Sequence, residues 1–269
     1  MTKFVNSNGI KISYKERGTG DPLILIMGLG APGAKWEPHV CAYEKYFRCI
    51  ILDNRGSGQS DKPKEEKYTI KEMEQDTIGV MDALNIKSAH INGISMGGAI
   101  AERIAIDHPE RVRSLILTST FPCTNVTMRR AITALRDCCG EVDSNTFGRL
   151  GQWMVYGFEF QDSNEQQMYI DEENDSNYPY PMPSYAYKAQ CNAILGHNVI
   201  NQLSEIKSPV LVAHGDQDNL APFKLAMKMY EKIPNCKLYI KHGGGHVQHF
   251  EDPESYNAAT LDFLLKNQD

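Results

Sequence analysis

His90-Ile91-Asn92-Gly93-Ile94-Ser95-Met96-Gly97-Gly98-Ala99-Ile100, residues 90–100, decides how this chain is read. HINGI reads as a short strand, and AIAERIAIDH, which follows the glycine pair, repeats apolar residues at helical spacing. Between them stands Gly93-x-Ser95-x-Gly97, which puts a serine on a sharp strand-to-helix turn. The residues two before and two after such a serine crowd its backbone, and glycine at both places removes the clash. The helix that begins there points its free N–H groups and positive dipole end at the serine. Gly-x-Ser-x-Gly by itself is common by chance; in this setting it makes Ser95 a candidate nucleophile.

Outward from this turn, short apolar runs alternate with helical patterns: LILIM at 23–27, CIILD at 49–53, SLILTS at 114–119, PVLVAHG at 209–215 and KLYIK at 237–241. Such alternation predicts a parallel sheet covered on both faces. KFVN (3–6) and IKISYKE (10–16), joined through Ser7-Asn8-Gly9, predict an antiparallel hairpin ahead of it. Thr69-x-x-Glu72 is a capping box that opens a scaffold helix over Ile70, Met73, Thr77, Val80, Met81 and Leu84. The alternation stops near Phe121 and resumes near Ile206. The aromatic, proline-broken stretch between, with Trp153, Tyr156 and the run YPYPMP, predicts an inserted helical cap over 121–205, the core being 1–120 and 206–269.

A serine hydroxyl needs a base within hydrogen-bond reach and an acid that fixes the base's tautomer. Beyond PVLVAHG, Gly215-x-x-Asp218 offers the acid, with Asp216 as an alternative. After KLYIK comes HGGGHVQHFEDP, with His246 behind three glycines and His242 and His249 flanking it. The order Ser95, Asp218, His246 is the order of this triad on a hydrolase sheet.

With these motifs the chain resembles the α/β-hydrolase superfamily over nearly its whole length, in its closest flavour the small enol-lactonase and methylesterase-like carboxylesterases. The glycine loop after LILIM, the run DNRGSGQS at 53–60, the serine turn, and the pair Gly215-x-x-Asp218 and Gly243-x-Gly245-His246 carry the resemblance. It implies a mostly parallel eight-stranded sheet with an N-terminal antiparallel hairpin, helices on both faces and the cap. It favours Asp218 over Asp216 as acid and His246 as base. It further implies an oxyanion hole made by the backbone N–H groups of Leu29 and Met96. The family often has histidine where Met27 stands before Gly28, which puts the loop's own hydrogen bonding in question. The implied reaction is carboxylic ester hydrolysis through an acyl-enzyme. Lactone, C–C and N-terminal proline cleavage are alternatives on the same triad, and a non-catalytic receptor is an alternative from another class.

One stretch points elsewhere. Gly28, Gly30 and Gly33 in LILIMGLGAPG have the G-x-G-x-x-G spacing of a dinucleotide turn, and Asp53 falls close to the ~20 residues downstream expected of a ribose acid. A hairpin precedes this strand, however, and Asp53 opens DNRGSGQS; no cofactor is expected. His242 and His246 match no H-E-x-x-H pattern, so no metal is expected either.

A formal charge of -6 offers no basic footprint for nucleic acid or anionic membrane. No apolar run approaches the ~20 residues of a membrane span, and the N-terminus lacks a signal-peptide h-region. Seven cysteines without a C-x-x-C pair favour a reducing, cytoplasmic setting, with Cys138-Cys139 more in keeping with inert thiols than with a switch. The expected partner is a small ester or related acyl compound, the expected state monomer or homodimer. Residues 121–190 hold five Lys/Arg against ten Asp/Glu, which leans towards neutral or cationic substrates, with Trp153 and Tyr156 as candidate substrate contacts.

Overall fold

A computed structural model describes residues 1–268. Its eight strands are β1 (Lys3–Ser7), β2 (Ile10–Arg17), β3 (Asp21–Ile26), β4 (Phe47–Leu52), β5 (Ala89–Ile94), β6 (Val112–Thr118), β7 (Val210–Gly215) and β8 (Cys236–Lys241). They form one sheet in the order β1-β2-β4-β3-β5-β6-β7-β8. The β1–β2 and β2–β4 pairs are antiparallel and the remaining pairs are parallel. Asn8 and Gly9, at φ +50° and +80°, turn the predicted hairpin.

The helices are α1 (Glu37–Tyr43), α2 (Ile70–Ala83), α3 (Met96–Asp107), α4 (Val126–Cys138), α5 (Ser144–Val155), α6 (Phe158–Ser163), α7 (Glu165–Ser176), α8 (Ser184–Leu195), α9 (Lys224–Lys232), α10 (Gln248–Glu251) and α11 (Pro253–Leu265). Side chains on a strand point alternately to the two faces, so a strand buried on both faces reads as an unbroken apolar run. In β3 this is literal. Ile24 and Ile26 join the core that includes residues of α2, α3 and α9, while Leu23 and Leu25 join the one that includes residues of α1 and α11. Cys49 and Ile51 against Ile50 and Leu52 divide β4 in the same way. The capping box is formed as predicted: Glu72 N–H donates to Thr69 Oγ1 at 3.1 Å, and Thr69 N–H donates to Glu72 Oε2 at 2.8 Å.

The chain departs from β6 and returns to β7 through five helices. An isolated bridge between Cys123 and Asn198 closes the mouth of this excursion, with Val199 N–H donating to Pro122 O at 2.7 Å. Its inner helices, α4 and α8, bury Met128, Ile132, Leu135, Cys191 and Ile194. Its outer helices, α5, α6 and α7, contain no buried residue. No helix among the described residues is long and apolar enough to cross a membrane.

From β3 the chain moves one way in the sheet to β4, then crosses back to β5 on the other side. A parallel sheet opens a crevice beyond the carboxyl ends of its strands at such a reversal, which is where open α/β sheets bind ligands. Gly28 follows β3 and Ser95 follows β5 at this point.

Candidate active site

Ser95 adopts φ +54°, ψ -116°, an unusual conformation for a residue with a Cβ. Strain of this kind persists only where the surroundings impose it. Here Ser95 N–H donates to Thr118 O at 2.8 Å, and Thr120 Oγ1 donates to Ser95 O at 2.7 Å. A methyl group on Gly93 would lie 2.3 Å from Gly97 O, and one on Gly97 would lie 2.2 Å from Ile26 O. Both glycines are therefore required by main chain pressed against main chain.

Gly28 faces the serine directly: a methyl group on it would sit 3.2 Å from Ser95 Cβ and 3.8 Å from Oγ. The next residue, Leu29, makes no main-chain hydrogen bond through its N–H among the described residues. Met96, as the first residue of α3, has an N–H with no acceptor within the helix. The two residues named from the sequence thus adjoin the serine, Met96 directly in the chain and Leu29 through Gly28. Met27 is buried, and the glycine loop takes its support from elsewhere: Asn54 Nδ2 donates to Met27 O at 2.8 Å, and Gly33 N–H donates to Asp53 Oδ1 at 2.7 Å. Asp53 also accepts from Ser13 Oγ at 2.5 Å and Gln59 N–H at 3.0 Å. A carboxylate so committed ties β2, the glycine loop and the run 53–60 together.

Asp218 and His246 meet beyond β7 and β8. The loop after β8 folds back over the end of β7, where a methyl group on Gly215 would lie 2.2 Å from Gly244 O. His246 Nδ1 donates to Asp218 Oδ2 at 2.8 Å, which leaves the lone pair on Nε2. Oδ1 of Asp218 accepts from Leu220 and Ala221 N–H at 2.9 and 2.8 Å. Ser95, Asp218 and His246 are 7%, 5% and 5% exposed, so the group is shielded yet reachable. Among the described residues no hydrogen bond joins Ser95 Oγ to the His246 ring; catalytic contacts of this kind often tighten only around substrate.

Burial pushes the Asp218 carboxyl up, but the neighbouring rings of His246 and His214 outweigh it and hold the group well below its ordinary 3.8. A carboxyl held below its unfolded value adds stability that is complete above that value and fades as pH falls towards the folded one. In urea unfolding from pH 7 to pH 3, the stability difference between wild type and Asp218→Asn is expected to hold down to about pH 5 and to shrink progressively below it.

Three supporting residues escaped the sequence reading. His214, fully buried on β7, is 3.2 Å from Asp218 Oδ2 and donates through Nε2 to Ala221 O at 2.8 Å, so it braces the acid. Its only signal was its place directly before Gly215. Glu251 accepts from Gly245 N–H at 3.1 Å, immediately before His246, and from Gly157 N–H at 2.7 Å between α5 and α6. Gln190, fully buried on α8, accepts from Gly30 N–H at 2.9 Å.

The competing candidates lie elsewhere. Asp216 and His242 bond to each other at 2.8 Å, but the His242 side chain is 85% exposed at the rim. His249 is buried against His39, at 3.2 Å between ring nitrogens. Trp153 is 61% exposed in an outer groove of about 410 Å³ shared with Arg149, Glu165 and Tyr169. Tyr156 is buried, stacked on Phe160, and spends its hydroxyl on Asp171 at 3.0 Å. Neither aromatic is turned to the serine by these contacts, and their composition alone could not tell which side of a helix they occupy. None of the ten acids of 121–190 is buried.

Residues 21–253 match the family model described as alpha/beta hydrolase fold. The chain is 28% identical over 242 residues to RutD of Caulobacter sp. (strain K31), named provisionally as a carbamate hydrolase, with 90% of each chain covered. The crystal structure of BpoC from Mycobacterium tuberculosis H37Rv, named provisionally as a non-heme bromoperoxidase, superposes with a TM-score of 0.86 at 26% identity, covering 95% of this chain and 96% of that one. The enol-lactonase of Burkholderia xenovorans LB400 superposes with a TM-score of 0.86 at 23% identity, covering 98% and 100%, and shares the fold.

Proposed function

The chain belongs to the alpha/beta hydrolase fold family, and from that premise we propose that it is a serine hydrolase that cleaves carboxylic esters through an acyl-enzyme. The observation that carries this reading is the Asp218–His246 hydrogen bond standing at the same sheet edge as a serine held at positive φ beside Gly28. His246 Nε2 takes the Ser95 proton as Oγ attacks the ester carbonyl, and Asp218 stabilises the imidazolium that results. The N–H groups of Leu29 and Met96 bind the oxyanion. The imidazolium returns its proton to the leaving alkoxide. Water, deprotonated by His246, then attacks the acyl-enzyme, and Ser95 recovers its proton as the acid is released.

Residues 121–205 serve as the lid: α4 and α8 seat it on the core, and α5 to α7 form its outer wall. The substrate is a small acyl compound, and the apolar residues at the glycine loop, Leu29 within it and Tyr187 with its ring against Gly30 and Phe147, suit an uncharged acyl chain. The same triad serves lactones and, as the name of the RutD relative suggests, carbamates.

The bond type is tested by a panel on the purified protein: p-nitrophenyl acetate and butyrate, a γ-lactone, a p-nitrophenyl carbamate and proline naphthylamide. The esters are expected to have the highest kcat/KM by about tenfold or more, the size of difference one well-matched contact supplies. A lactone or carbamate ahead of the esters by that margin transfers the reading to that bond.

A further inference from the structure

The glycine loop is held in its working shape by a side chain from the lid. Gln190 of α8 accepts from Gly30 N–H at 2.9 Å through Oε1, while its Nε2 donates to Arg55 O at 2.8 Å and contacts Ser57 Oγ at 3.2 Å. Reversing the amide would set N–H against N–H at Gly30, so the network fixes its orientation. Arg55 is itself immobilised by two bonds to the Asp76 carboxylate, at 2.6 and 3.0 Å. Gly30 sits at φ +72°, and a methyl group on it would lie 2.9 Å from the Tyr187 ring of the same helix. Helix α8 thus grips the loop through one ring edge and one buried amide. Met27 has no side-chain hydrogen bond to offer this loop, and the support arrives instead from a residue 160 positions away.

We propose that Gln190 is a positioning residue for the oxyanion hole: by pinning Gly30 N–H to the anchored Arg55 loop, it aims the N–H of Leu29, one residue earlier, at the developing oxyanion. The proposal rests on the reading of Ser95 as nucleophile and of Leu29 as donor. Donors act in catalysis only when held in place before the charge appears, and a displacement near 1 Å is enough to cost about 100-fold in rate. Seating the lid and forming the hole become one event, because the same amide belongs to both.

Gln190→Met fills the slot without accepting from Gly30 or donating to Arg55. Its kcat on p-nitrophenyl butyrate is expected to fall about 10- to 100-fold with KM within about threefold of wild type. Affinity for an alkyl boronic acid, whose tetrahedral adduct places an oxygen in the hole, is expected to fall by the same factor as kcat/KM. Asn192→Ala is the control, since Asn192 also ties α8 to the core, through Glu66 O at 2.8 Å, without touching the loop. It is expected to retain kcat. Should Gln190→Met be recovered unfolded by circular dichroism, Gln190→Asn, one methylene too short to span Gly30 and Arg55, is expected to give the same split. Wild-type kcat in the folded Gln190 variant, or an equal loss in Asn192→Ala, overturns the proposal. Failure of wild-type Ser95 to react with a fluorophosphonate overturns the underlying reading, and the Gln190 role with it, whatever the Gln190 variants do.

Discussion

Ser95→Ala is expected to lower kcat on p-nitrophenyl butyrate on the order of 10⁵- to 10⁶-fold, with the fold intact. The size follows from what alanine removes. Without Oγ there is no acyl-enzyme, and His246 loses the group whose proton it accepts, so base and acid have nothing to act through. What survives is the binding site with the Leu29 and Met96 N–H groups, which can favour direct attack by water only on the order of 10³-fold over solution. The folded state should tolerate the change. Ser95 Oγ is a small group, and the two bonds that hold the turn, to Thr118 O and from Thr120 Oγ1, use the main chain of residue 95, which alanine keeps. Unchanged far-ultraviolet circular dichroism and melting within a few degrees would accompany the lost activity.

Asp218→Asn is the second large effect, expected at about 10³- to 10⁴-fold in kcat. The amide has nearly the carboxylate's shape, so its oxygen can still accept from Leu220 and Ala221 N–H. On the other side it presents an NH₂ group to His246 Nδ1 where an oxygen stood at 2.8 Å. The ring answers by placing its proton on Nε2, the nitrogen that should be bare to accept from Ser95. It also loses the charge that stabilises imidazolium. His214 suffers less, because its Nε2–H retains Ala221 O as an acceptor at 2.8 Å. Both variants leave the Gln190 contacts untouched, so boronic acid binding to Asp218→Asn separates tautomer control from oxyanion geometry.

How much of this could be read from the chain depends on the range of the interaction. The serine turn is local: strand, Gly93, Ser95, Gly97 and helix fall within a dozen residues, and each residue type answers to sterics within that span. The two-faced burial of β3 and β4 is legible for the same reason, since an unbroken apolar run has few other places to go. Asp218 and His246 are singled out by the family's order and spacing from the neighbours Asp216, His242 and His249, and the two are hydrogen-bonded across 28 positions at the ends of β7 and β8. The glycines at 28, 30 and 33 are ambiguous in sequence, because a backbone able to present N–H groups to negative charge has the same spelling for pyrophosphate as for an oxyanion. Asp53 itself bonds Ser13, Gly33 and Gln59 on three separate segments, contacts that no local pattern announces.

Gln190 and Glu251 had no local signature at all. Their partners lie 160 and 94 positions away in the cases of Gly30 and Gly157, and a glutamine on a helix looks the same whether it faces water or a loop. The charge of 121–190 is silent on direction for a related reason. A count of acids carries no direction, and Glu165, Glu173 and Asp175 prove to be on the solvent side of α7. Trp153 likewise belongs to the outer groove between α5, α6 and α7.

The central claim, that Ser95 is a nucleophile activated by His246, is tested most directly by treating the purified protein with a fluorophosphonate and locating the adduct by peptide mass spectrometry. One equivalent on the peptide bearing Ser95, absent from Ser95→Ala and formed far more slowly by Asp218→Asn, is the predicted result. No adduct on the wild type, or labelling that persists undiminished in Ser95→Ala, would contradict it and return the fold to the class of hydrolase scaffolds that bind without cutting.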